Sequence, residues 1–129
     1  MDGLDGMRFV AHVSRHPWGS TVNVTESRGL AYARLYGYGN GCACVEGLNV
    51  DEGCRGRGIG TGLLGMLERY AAERLGARRM LLSVWRGEPE TGRLLAWYSG
   101  MGYSPARPGD GGPDMSDPGM AWLAKDIGR

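Results

Sequence analysis

The stretch "CRGRGIGTGLL", residues 54–64, decides how this chain reads. Glycine recurs at 56, 58, 60 and 62, with Arg55 and Arg57 set among them. Glycine weakens a helix, yet helical apolar spacing begins inside the stretch. Ile59, Leu63, Met66, Leu67, Tyr70, Ala71 and Leu75 fall on one stripe, and Gly76 follows as a cap. A helix start leaves its first N–H groups unpaired, and its dipole favours negative charge. Glycines there let an anion reach the backbone without meeting a Cβ. Arg55 and Arg57 can reach phosphate oxygens. An isolated turn of this composition would be a flexible loop with its arginines in solvent. A strand before it and an amphipathic helix after it point instead to a pyrophosphate cradle.

Upstream, the apolar pattern alternates as in strands over residues 7–14, 21–27, 30–38 and 42–50, with a "GNG" hairpin signal at 39–41. "HPWGS" reads as a breaker between the first two. Downstream, 78–85 is apolar enough for a central strand. A second helix follows, with Pro89 suited to its first turn and Leu94, Leu95, Trp97, Tyr98 and Met101 facing inward. Residues 104–119 are a Gly, Pro and Asp-rich loop, and 120–127 is a last strand. Strand 42–50, helix 59–75 and strand 78–85 make a right-handed crossover, so those strands run parallel. The fold class expected is α+β: a mixed, mostly antiparallel sheet of six to seven strands with two helices, in one domain over residues 1–129.

Composition narrows the partners. Apolar residues are 42% and charged residues 22%, with a net charge of +1. That balance gives no electrostatic case for nucleic acid or a membrane surface. The acidic N-terminus lacks a signal-peptide core and no apolar run has spanning length, so a cytoplasmic protein is expected. The 3 cysteines are odd in number. Cys42 and Cys44 share a strand face, Cys54 and the two histidines are scattered, and buried reduced thiols are expected rather than a metal site. The four tryptophans, Trp18, Trp85, Trp97 and Trp122, read as core or interface anchors.

Three phosphate ligands compete for the cradle. The nucleotide-triphosphate loop is absent, because no Gly-Lys-Ser/Thr follows. A dinucleotide fingerprint occurs at Gly60, Gly62 and Gly65, but Val50 ends the strand ten residues too early and the preceding strands are hairpins. The third option rests on two motifs. Arg55-Gly56-Arg57-Gly58-Ile59-Gly60 follows a strand ending Leu48-Asn49-Val50, and "LLSVWRGEPETGRLLAWYSGMGY" carries Tyr98, Gly102 and Tyr103. Together they resemble the coenzyme A-binding segment and second signature of the GNAT N-acetyltransferase superfamily, over residues 42–103.

That resemblance implies acetyl-CoA as co-substrate, no metal, and transfer of an acetyl group to a primary amine on a small molecule or peptide. Arg55, Gly56, Arg57, Gly58, Ile59, Gly60 and Thr61 would hold the pyrophosphate. Leu48, Asn49 and Val50 would pair with the pantetheine arm, which needs strand 42–50 to splay from strand 78–85. Gly47 is a candidate bulge residue, and a free N–H at the splay could stabilise an oxyanion. Tyr98 matches the family's acid; without that context it is a member of the helix stripe. Glu46 is the candidate base, with a solvent glutamate equally open, and strand alternation places it on one face with Leu48 and Val50. Thr91 stands where the family often has a coenzyme-contacting asparagine.

The sequence also departs from the family. "RHPWGS" leaves no room for the two helices usual after the first strand. An open acceptor site follows, or one completed by the 104–119 loop or a second subunit, and a homodimer is expected. Asp110, Asp114 and Asp117 would draw a cationic amine, or simply solubilise the loop. A non-catalytic acyl-CoA-binding module remains the rival reading.

Overall fold

The computed structural model describes residues 8–51, 53, 58–106 and 115–128. Its strands are β1 (Phe9–His16), β2 (Gly19–Glu26), β3 (Ala31–Gly37), β4 (Cys42–Val50), β5 (Arg79–Trp85), β6 (Ser104–Pro105) and β7 (Met120–Asp126), with helices α1 (Ile59–Arg74) and α2 (Thr91–Gly100). They form one seven-stranded sheet in the order β1-β2-β3-β4-β5-β7-β6. Every neighbouring pair is antiparallel except β4–β5, which α1 joins as a parallel crossover. This is the mixed, mostly antiparallel sheet with two helices that the sequence predicts. No described helix is long and apolar enough to cross a membrane.

The first hairpin is tighter than expected. β1 runs on to His16, which pairs with Gly19, so the turn is Pro17–Trp18 alone. Proline sets the backbone for such a turn. Gly19 then adopts φ 147°, and a Cβ there would lie 1.9 Å from the Gly37 carbonyl oxygen. Only glycine lets β2 approach β3 so closely. Among the described residues, no helix separates β1 from β2.

Both helices bury against one face of the sheet. Ile59, Leu63, Leu64, Leu67 and Ala71 of α1 meet Ala33, Leu35, Val45, Met80 and Leu82 in a single apolar core. Burying each leucine contributes about 1.5–3 kcal/mol. Leu64, outside the narrow stripe read from sequence, is fully buried, while Met66 and Tyr70 are half-buried. At the end of the core, Glu68 of α1 accepts from Tyr103 Oη at 2.8 Å and from Lys125 Nζ at 3.0 Å, tying α1 to β7. Glu26 is buried to 1% exposure at the end of β2. Its carboxylate accepts from the Arg28 and Leu30 amides at 2.8 and 3.2 Å and from Arg28 Nε at 3.1 Å, closing the β2–β3 turn. Burial works to raise its pKa, but the two amides and the guanidinium outweigh it and hold the carboxyl below its usual value.

The opposite face carries no described helix. Cys42, Cys44, Leu81 and Ala124 are buried there beneath Tyr36, Tyr38, Ala106, Met115 and Trp122. Cys42 and Cys44 are both buried, and burial, with Glu46 nearby, pushes the Cys44 thiol up to about 12. Trp18 and Trp85 are 47% and 57% exposed. They are surface residues, Trp18 in the β1–β2 turn stacked on His16 and Trp85 at the last residue of β5; Trp97 and Trp122 are half-buried.

Candidate active site

β4 positions the site because its two halves behave differently. Cys42–Val45 pair in parallel with Arg79–Leu82 of β5, and pairing stops there. The remainder of β4 stays paired only with β3. Between the pairs Tyr32↔Asn49 and Arg34↔Glu46, one residue of β3 faces two of β4, Gly47 and Leu48. Gly47 takes φ 68°, so the bulge falls at the glycine singled out from sequence. The strand therefore parts from β5 beyond Val45.

The bulge also corrects the expected alternation. Val45 pairs with Leu35 and Val50 with Ala31, both on the helix-covered side, while Glu46 pairs with Arg34 on the open side. Leu48 packs with Val50 against the core. The extra residue breaks the period of two, so Glu46 does not share a face with Leu48 and Val50. It is exposed on the opposite side of the sheet.

A cavity of about 440 Å³ opens under the splay on the helix side, lined by Leu48, Asn49, Val50, Gly58, Ile59, Gly60, Thr61 and Tyr98. Eight of the residues predicted from sequence thus meet in one place. Gly58 is the N-cap of α1 at φ 77°, a left-handed conformation. Its carbonyl accepts the first helical bond from Gly62 N at 2.9 Å. No side chain caps the helix and its first turn contains no acid. The amides of Ile59, Gly60 and Thr61 precede any intrahelical acceptor and carry the positive end of the dipole. Thr61 Oγ1 accepts from Trp97 Nε1 at 3.3 Å, which leaves its own proton to donate. Cys54, Arg55, Gly56 and Arg57 lie outside the described residues, as do Asp110 and Asp114.

A second cavity of about 570 Å³ follows the gap toward the end of β5, lined by Val45, Gly47, Ser83, Trp85 and Thr91 among others. Leu48, Glu90, Leu94 and Tyr98 border both cavities. Tyr98 is buried to 8% exposure, with ring centroids 4.8 Å from Trp97 and 6.0 Å from Tyr103. Burial raises its pKa, so the phenol stays protonated at neutral pH.

Thr91 and Asp117 have partners of their own in the turns they occupy. Thr91 lines the second cavity, not the cradle, and its hydroxyl donates to the Trp85 carbonyl at 2.7 Å while accepting from Glu88 N at 3.1 Å. Its one proton is committed to the β5–α2 turn. Pro89 lies in that turn, before the helix, because α2 begins at Thr91. Asp117 accepts from Gly119 N at 2.8 Å and shapes the turn into β7.

Sequence reasoning missed part of the wall. Trp97 and Arg93 line the cradle, and the Trp97 ring lies 3.6 Å from the point a Cβ on Gly60 would reach. Arg93 forms an exposed ion pair with Glu90 at 3.2 Å. Their spacing on α2 with Leu94 was visible; that this stripe faces the glycine-rich helix start was not.

The comparisons agree with this geometry. A profile of the Acetyltransferase (GNAT) family matches residues 9–103. None of the curated proteins matches the sequence. Among solved structures, a proposed acyl-CoA N-acyltransferase from Klebsiella pneumoniae subsp. pneumoniae MGH 78578 superposes with TM-score 0.72 at 16% identity, covering 95% of this chain and 98% of that one. A GNAT family acetyltransferase from Elizabethkingia anophelis with acetyl-CoA bound gives TM-score 0.67 at 14% identity, over 95% and 99% of the two chains. One from Staphylococcus aureus Mu50 gives TM-score 0.64 at 16% identity, over 84% and 68%. These likenesses establish the fold. The family match covers most of the chain, including the splayed strand, the helix start and Tyr98, and the protein is a member of the GNAT acetyltransferase family.

Proposed function

We propose that the protein is an N-acetyltransferase, moving an acetyl group from acetyl-CoA to a primary amine by direct attack. One observation carries the reading: an uncapped helix start, a strand edge released from its neighbour and a buried phenol converge on one cavity. The cradle suits a bulky diphosphate, since a side chain on Gly60 would grow toward Trp97 and Val50. Bound there, acetyl-CoA supplies an acetyl thioester. The amides of Ile59, Gly60 and Thr61, with the Thr61 hydroxyl, hold the diphosphate. Arg55, Gly56 and Arg57 join this set on sequence grounds. The β4 edge at Leu48 and Asn49 lies along the pantetheine arm as an added strand would.

Tyr98 holds a proton and gives it to the departing sulfur. Glu46, on the far side of the sheet, receives the proton of the amine, directly or through a water. The sheet therefore separates donor from acceptor, and the splay joins them. A homodimer belongs to the same reading, because Val10, Val13, Trp18 and Trp85 are exposed at 43–57%. Light scattering that gives a monomer at micromolar concentration removes that part.

Calorimetry tests the cradle: coenzyme A binds and NAD does not. A thiol-release assay on a panel of amines tests the transfer. Intact acetyl-CoA binding with no turnover on any amine would leave an acyl-CoA-binding module.

A further inference from the structure

The helix-free face holds a cation that the transfer chemistry above does not use. Arg34 of β3 is the cross-strand partner of Glu46 of β4. Directly opposed residues of opposite charge normally pair. Here no hydrogen bond or ion pair joins them among the described residues. Instead Arg34 Nε donates to Asn23 Oδ1 at 2.9 Å and Nη1 donates to Tyr36 Oη at 3.4 Å. The Tyr32 hydroxyl donates to the same Asn23 oxygen at 3.4 Å. The guanidinium is thus held by neutral oxygens and is half-buried, with no carboxylate bound to it among the described residues. Tyr32 also ties this cluster to the gap: its ring edge lies 3.7 Å from where a Cβ on Gly47 would sit, and Gly47 lines the second cavity.

A carboxylate and a guanidinium that form no ion pair with each other therefore stand on directly opposed residues of β4 and β3, beside the splay. We infer that Arg34 binds a carboxylate of the acceptor, so that the acceptor is an amino acid, with its amine toward Glu46 and its carboxylate on Arg34. This rests on the transfer reading proposed above. Charge complementarity selects the class: an amine alone would leave Arg34 without a partner, and a polyamine would be repelled by it. Register sets the direction: Arg34 is directly opposed to Glu46 across one strand spacing, about 4.8 Å, and its guanidinium reaches on to Asn23 of β2, so the acceptor runs from β4 across β3 with its carboxylate on the β3 side of its amine. The planar guanidinium fits a carboxylate with two parallel bonds, which lysine cannot reproduce.

The test compares amino acids with the amines that lack only the carboxylate, such as phenylalanine with phenethylamine and tyrosine with tyramine, by thiol release. The wild type prefers the amino acid in kcat/KM by at least about tenfold, the scale of one hydrogen bond to a charged group. Arg34→Gln erases that preference through KM, and Arg34→Lys keeps part of it. Equal use of both acceptors by the wild type overturns the inference. So does a loss in Arg34→Gln that is the same for both acceptors and falls on kcat, which would make Arg34 a support for Glu46. Calorimetric titration of the amino acid into coenzyme A-saturated protein separates this inference from the transfer reading. Binding that Arg34→Gln abolishes, with no turnover on any acceptor, upholds the carboxylate site and sinks the transfer; no binding and no turnover sinks the site.

Discussion

On one face of the sheet Leu35, Val45, Met80 and Leu82 lie under two helices. On the other, the same strands display Arg34, Cys44, Glu46 and Ser83, and no described helix covers them. The first face is packed, and two cavities open into it beside Leu48 and Tyr98, one at the start of α1 and one toward the end of β5. It suits a large ligand whose diphosphate needs oriented amides and whose thioester needs a neutral acid. The second is partly wet and carries charges free to meet a polar acceptor. Low dielectric keeps Tyr98 protonated on the first face; Glu46 is exposed on the second. The bulge at Gly47 makes this division possible, since it opens the sheet and turns Glu46 away from Leu48.

The sharpest way to break this division is Tyr98→Phe. Loss of the proton donor lowers kcat by about 10³-fold, while acetyl-CoA affinity measured by calorimetry changes less than twofold. Equal losses in both would make Tyr98 a packing residue. Glu46→Gln acts from the other face, lowering the rate about 10²-fold at neutral pH. A pH–rate profile shows the deficit shrinking as pH rises, because more of the amine is already deprotonated. A deficit constant across pH would remove Glu46 as base.

Smaller effects test the cradle and the scaffold. Thr61→Val weakens acetyl-CoA binding about tenfold, the scale of one bond to a charged oxygen, and leaves kcat at saturation unchanged. Glu26→Gln concerns folding alone. The folded-state carboxyl titrates below its unfolded value, so its stabilisation is present above the unfolded pKa of about 4.3 and is lost as pH falls through the folded value. Thermal melts therefore show wild type above variant at pH 7 and the two converging in acid. A gap that widens below pH 4 would reverse the assignment.

Much of the helix-covered face was legible in the chain. Strand β4 was placed at residues 42–50 and α1 from Ile59, because β-branched alternation and helical spacing are local signals. The glycines at 58 and 60 announced an exposed helix start for the same reason: conformational permission is a property of the residue itself. The open face was less legible. Alternation through Glu46 failed, since one inserted residue inverts every side chain beyond it and only the partner strand reveals the insertion. Thr91 could not be assigned either, because its partners, the Trp85 carbonyl and the Glu88 amide, are backbone groups brought near by the turn.

The amino-acid order by itself determined the elements, the anion-receptive helix start, Tyr98 on the inward stripe of α2 and the absence of helices between the first two strands. The tertiary structure decided which of these share a cavity, which side of the sheet each charge occupies and where Trp97 and Arg34 stand. Periodicity and backbone freedom are written within a few neighbouring residues, whereas a site is made of groups far apart in sequence, and only strand register and helix packing bring them together.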